Sequence, residues 1–185
     1  MKKVIWMTLF IVTFCALSIE PASALTNGVV KVGLRYGSSA MASANLENEV
    51  GSGYEFGYYD DSRQFVALAR TAETKITMTP VASGISVSRT GSSSALFQFD
   101  TTGGRPLGVR PIGDHTETWF RGYKYAGGFE YVRASAGSLN VINVVDLEDY
   151  VKGVVPYEMP GQWPLAALEA QAVCARTFVY GNSKH

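Results

Sequence analysis

Cysteine is almost absent: the 185 residues contain two, Cys15 and Cys174. Cys15 lies in a candidate leader, so an exported product would keep Cys174 alone, which excludes an intrachain disulfide framework. Charge of one sign is also missing, with 16 lysines and arginines against 16 acidic residues. A balanced chain has no general attraction for nucleic acid or an anionic membrane, and nucleic acid is not expected as a partner. Of the two histidines, His115 has no carboxylate near it at metal-ligand spacing. The Gly103-Gly104 pair reads as a turn with no nucleotide fingerprint around it, so neither a metal nor another cofactor is expected.

Long apolar runs are missing too, apart from Val4 to Ile19. Lys2 and Lys3 precede that run, and Ala22-Ser23-Ala24 follows with small residues at signal-peptidase spacing. Residues 1–24 therefore read as a signal peptide, which implies secretion or association with the cell envelope. The alternative is an uncleaved membrane anchor, for which the run is short. Removing Lys2, Lys3 and Glu20 moves the formal charge from 0 to −1. Arg105, Arg110, Arg121, Lys124 and Arg133 are scattered cations, of the kind that more often form a solvated face than a binding patch.

From Val29 to Val145 short β-branched or aromatic runs alternate with Gly, Ser, Asn and Asp clusters. Strands are predicted at Val29 to Arg35, Gln64 to Ala69, Lys75 to Met78, Gly84 to Ser88, Ala95 to Phe99, Thr118 to Tyr125, Phe129 to Ala134 and Ser138 to Val145. The fold class is α+β, mostly antiparallel strands followed by a C-terminal helical segment. Tyr54, Phe56, Tyr58 and Tyr59 are either a sugar-stacking platform or, the commoner outcome, core and cross-strand pairs.

The segment Asp146 to Thr177 carries the chemistry. Pro156 and Pro160 bracket Glu158, and because proline fixes φ and lacks a donor, Pro156 to Pro160 is expected to be a stiff loop outside any helix interior. Tyr157, Met159 and Trp163 make the neighbourhood of Glu158 apolar, a setting in which desolvation disfavours a charged carboxylate. A helix is predicted from Pro164, with Leu165, Leu168, Ala172, Ala175 and Val179 on one stripe. Arg176 falls at the edge of that stripe and needs an anion, either Glu158, Glu148 or Asp149 in a structural pair, or a substrate group. Cys174 lies off the stripe, where its expected role is that of a small buried helix residue, with reactivity the alternative if it is exposed.

The runs Leu147-Glu148-Asp149-Tyr150, Gly153 to Pro160, Trp163-Pro164, Ala170 to Val173 and Ala175 to Phe178 closely resemble the signature of the stage II sporulation protein D (SpoIID/LytB) family. Weaker likeness extends to Phe120-Arg121-Gly122, to Leu139 to Asn143 and to Val30 to Leu34. The resemblance implies a cell-wall lytic transglycosylase that cuts glycan between N-acetylmuramic acid and N-acetylglucosamine, preferring strands stripped of stem peptides. It makes Glu158 the catalytic acid/base and places Arg176 near it, with Gln171 and Tyr157 as further substrate-binding residues. Phe178 stands where the family more usually has tyrosine. In sporulation members a histidine near the position of His185 opens a His/Cys metal motif, and one histidine is not a zinc site.

The expected organisation is a signal peptide over 1–24, a β-rich N-terminal region over 25–115, and the N-terminal part of a SpoIID-like domain over 116–185, the domain being truncated. Expected partners are peptidoglycan glycan strands, with a cell-wall amidase or other sporulation proteins as further candidates. Two alternatives to catalysis stay open: a non-catalytic, LytB-type amidase enhancer that binds the wall, and an inactive fragment.

Overall fold

The computed structural model describes residues 28–49, 51–113 and 116–181. The leader, Cys15, His115 and His185 lie outside them. Twelve strands precede two helices: β1 (Val29–Arg35), β2 (Ala44–Glu47), β3 (Tyr54–Tyr59), β4 (Phe65–Thr71), β5 (Lys75–Val81), β6 (Gly84–Arg89), β7 (Ala95–Asp100), β8 (Leu107–Pro111), β9 (Thr118–Phe120), β10 (Tyr123–Tyr125), β11 (Gly128–Ser135), β12 (Ser138–Asp146), α1 (Leu147–Glu158) and α2 (Leu165–Gly181).

They form two six-stranded antiparallel sheets, one in the order β1-β12-β11-β8-β3-β4 and the other β10-β9-β2-β5-β6-β7. Alternation drives their association. On β3 Tyr54 and Phe56 point inward, on β5 Ile76 and Met78, on β6 Ile85 and Val87, and on β12 Leu139 and Val141, and all belong to one buried core to which both sheets contribute. This is the period-two signature of sheets with one dry face. The aromatic run of β3 therefore supplies core residues in Tyr54 and Phe56, while Tyr58 packs half-buried against the same cluster.

Strands far apart in the chain meet beneath the helices. β1 pairs along β12, with Val30 opposite Val145, and these two side chains start a second apolar cluster with Leu147, Val151 and Ala175 of the helices. The helix pair thus rests on the end of the β1–β12 ribbon. The ribbon is pinned from its other side. Asn143 is buried and donates through Nδ2 to the carbonyl oxygens of Ala126 (3.0 Å) and Gly128 (2.9 Å), groups a turn would otherwise leave unmatched. Between them Gly127 has φ +77°, and a Cβ there would sit 2.3 Å from the Val144 carbonyl oxygen, so only glycine fits.

Lys31 on β1 and Glu130 on β11 bridge across β12 at 2.7 Å, and the Glu130 side chain is 3 % exposed. A carboxylate this buried is tolerable only with its cation.

Candidate active site

α1 begins where β12 ends. Asp146 holds extended backbone and its Oδ1 accepts from the Glu148 and Asp149 amides at 2.8 and 3.4 Å, an N-cap that stops the strand and starts the helix. Glu148 and Asp149 place negative charge in the first turn, where the helix dipole favours it. This start signal is present in the sequence, while the two prolines argue against helix over Pro156 to Pro160.

The structure corrects that expectation. Pro156 lies inside α1, and Glu158 is the last helical residue rather than part of a loop. The physical reason is position. A proline removes one bond to the carbonyl four residues back, here that of Lys152, and both residues are exposed in the final turns, where water can take the orphaned oxygen. The helix closes beyond the proline, the Met159 amide donating to the Val155 carbonyl at 2.9 Å.

Glu158 faces α2. Its Oε2 accepts from the Gln171 amide nitrogen, so the carboxylate is held by a neutral donor on the adjacent helix. Among the described residues it takes part in no ion pair. Nor is it enclosed: Glu158 is exposed, Tyr157 is 78 % exposed and Trp163 50 %, so the expected apolar pocket around the carboxylate is not formed.

Arg176 lies half-buried on α2 and reaches Glu148, not Glu158, through Nε to Oε1 at 2.8 Å and Nη2 to Oε2 at 2.5 Å. This two-pronged geometry suits the guanidinium fork. The hydrogen bond from Arg176 holds the Glu148 carboxyl below its usual range, and in return Glu148 raises Arg176. Of the three anions the sequence offered to Arg176, the structure selects the one at the start of α1. Tyr150 is pushed up, first by burial and then by the negative charge of Glu158.

The helix stripe is covered in part. Ala175 is buried and Ala172 and Val179 pack against the same cluster, whereas Leu165 is 70 % exposed. Cys174 is exposed, contrary to the small buried role expected for it, because its position turns it away from the α1 contact.

One residue beside α1 escaped the sequence reading. Tyr123, 56 % exposed, meets Tyr157 edge-on with ring centroids 6.4 Å apart. It is delivered by the β9–β10 hairpin, whose two-residue turn is Arg121-Gly122 with φ of 51° and 84°, the doubly positive turn that hairpins prefer. Phe120-Arg121-Gly122 was visible as a motif, but no local pattern states that the following ring lands on α1.

A cleft of about 810 Å³ opens on the other side of α1, bounded by β3, β8, the start of β11, the end of β12, and Asp149, Lys152 and Gly153 of the helix. Glu158 does not line it, since it lies about 140° around the helix from Gly153. Among the described residues no group of three or more His, Cys, Asp or Glu is placed to hold a metal. No helix among them is long and apolar enough to cross a membrane.

Residues 135–185 match the family model described as stage II sporulation protein, SpoIID. A stretch of 57 residues is 46 % identical to an uncharacterized protein of Brachyspira hyodysenteriae, and the matched stretch covers 31 % of this chain and 15 % of that protein. No solved structure matches the chain. The likeness to the SpoIID family thus lies in the segment that runs from the end of β11 across β12 and both helices.

Proposed function

We propose that the protein remodels peptidoglycan at the cell envelope, cleaving glycan strands between N-acetylmuramic acid and N-acetylglucosamine as a lytic transglycosylase with Glu158 as its acid/base. The observation that carries this reading is the placement of Glu158 within the family segment: an exposed carboxylate at a helix end, steadied by Gln171, with Arg176 engaged elsewhere. A carboxylate locked to a cation would be a poor proton donor. One held by a neutral amide keeps both roles open.

The chemistry needs only one carboxyl group. Protonated Glu158 gives its proton to the glycosidic oxygen as the bond to C1 of muramic acid breaks, and the departing N-acetylglucosamine leaves with a new hydroxyl. The muramic acid 6-hydroxyl then bonds to C1 and passes its proton to the Glu158 carboxylate, which regenerates the acid and leaves a 1,6-anhydro ring. Water takes no part, so the second carboxylate of ordinary glycosidases is not required. In this scheme Gln171 orients the carboxylate, and the exposed Tyr123 and Tyr157 rings offer apolar faces to pyranose C–H groups. Arg176 supports the site through the helix pair.

The openness of the Glu158 end favours a second reading, in which the same surface binds glycan and stimulates a separate amidase without cutting. Mass analysis of products from purified glycan separates the two. Release of 1,6-anhydromuramic ends supports cleavage, and binding without any such product supports the second reading.

A further inference from the structure

We infer that the cleft between α1 and the outer face of the first sheet binds a short zwitterionic peptide, the chemical class of a peptidoglycan stem; the inference rests on the wall-directed reading above. The cleft is large enough for several residues, at about 810 Å³. Its lining decides what it takes. A stripped glycan offers hydroxyls, acetamides and pyranose faces, and a site for it needs exposed aromatic rings. Here the aromatic contribution is Tyr59, mostly buried, its ring edge-on to Phe65. The lining is charged instead, with both cations and anions among its residues.

Glu55 and Arg110 pair across β3 and β8 at 2.6 Å, and Asp149 and Lys152 pair along α1 at 2.8 Å. The side chains of Arg110 and Lys152 remain 49 % and 73 % exposed. Such surface pairs are weakly held, so an incoming carboxylate or ammonium exchanges into them at little cost. Lys124 is looser still. Its Nζ lies 3.8 Å from Glu49 and 4.0 Å from Glu117, and neither contact is short enough for a hydrogen bond. The Nζ also lies 5.0 Å from the centre of the Trp119 ring, so its charge is shared among loose partners that a closer carboxylate can displace. A ligand bearing both carboxylates and an amine, spaced along an amide backbone, answers this arrangement, and a neutral sugar does not.

The floor is formed by Tyr59 lying on Gly128, where a Cβ would stand 2.1 Å from the tyrosine hydroxyl oxygen, so only glycine lets the ring settle there. Gly127 beside it leaves backbone at the cleft wall.

The test is calorimetric titration of the whole chain with the free tripeptide L-alanyl-γ-D-glutamyl-meso-diaminopimelate, and separately with a neutral chitooligosaccharide. The double variant Lys124→Ala/Lys152→Ala changes two exposed side chains, and circular dichroism checks that it folds. The expected result is tripeptide binding that weakens with added salt and falls at least about tenfold in the variant, the loss expected for charge-assisted hydrogen bonds, with chitooligosaccharide binding unchanged. Tripeptide affinity unaltered by the double variant overturns the inference. Chitooligosaccharide binding without tripeptide binding overturns it while leaving the glycan reading standing. Binding of neither ligand overturns both.

Discussion

Arg176 and Glu148 form a bridge between the two helices, and it has a pH dependence with a definite sign. The Arg176 hydrogen bond depresses the folded-state pKa of Glu148 below its unfolded value of about 4.3. Its stabilisation is therefore complete above that unfolded value and is lost as pH falls through the lower folded value. Arg176→Ala and Glu148→Gln should each lower the thermal midpoint at neutral pH, the double variant should fall little further than the worse single one, and all three should converge with the parent in strong acid. Thermal scans from pH 7 to pH 2 check this, and additive losses would show that the residues act separately. Arg176→Lys should recover stability only in part, since an ammonium cannot reproduce the two-pronged contact. Tyr123 behaves differently, because its ring is exposed and carries little of the fold. Tyr123→Ala should leave the thermal midpoint nearly unchanged and weaken glycan binding several-fold, while Tyr123→Trp keeps it, as titration with chitooligosaccharides would reveal.

At the scale of elements, the β9–β10 hairpin is strained at one point that a single substitution relieves. Arg121 occupies φ 51°, a region costly for most L-residues and tolerated by asparagine. Arg121→Asn should stabilise by about 0.5 to 1 kcal/mol, and Arg121→Val should cost about 1 kcal/mol or more, both measurable by urea denaturation. Such elements differ in how far the sequence discloses them. β1 was legible to its ends because its apolar run is bounded by turn residues, and β5, β6, β7, β11 and β12 were legible to within three residues for the same reason. β2 was missed because four residues give too short a pattern, and β8 because Pro106, Gly108 and Pro111 punctuate it like a loop. α1 was missed through Pro156, a breaker in a helix interior but tolerable in an exposed last turn. Pairings across the chain, such as Val30 with Val145, leave no local trace at all. The candidate site shows the same division: Glu158, Gln171 and Arg176 stand out in the sequence, whereas Tyr123 reaches Tyr157 only through topology.

For the whole molecule, α2 presents two apolar faces and the fold covers one. Ala172, Ala175 and Val179 are packed, while Val173 and Phe178 are 60 % and 63 % exposed on the other side. A helix apolar all round is normally buried, so this face should drive self-association. Light scattering on residues 25–185 should show oligomers that Val173→Lys/Leu165→Glu disperses, and a monodisperse parent would contradict that. The central claim concerns what the assembled site does to a glycan strand. Its most direct test is to incubate purified denuded glycan with the parent and with Glu158→Gln, measuring anhydro-ended products together with glycan binding. Anhydro products are expected from the parent alone, with equal binding and equal folding in the variant. Comparable product from Glu158→Gln would contradict it.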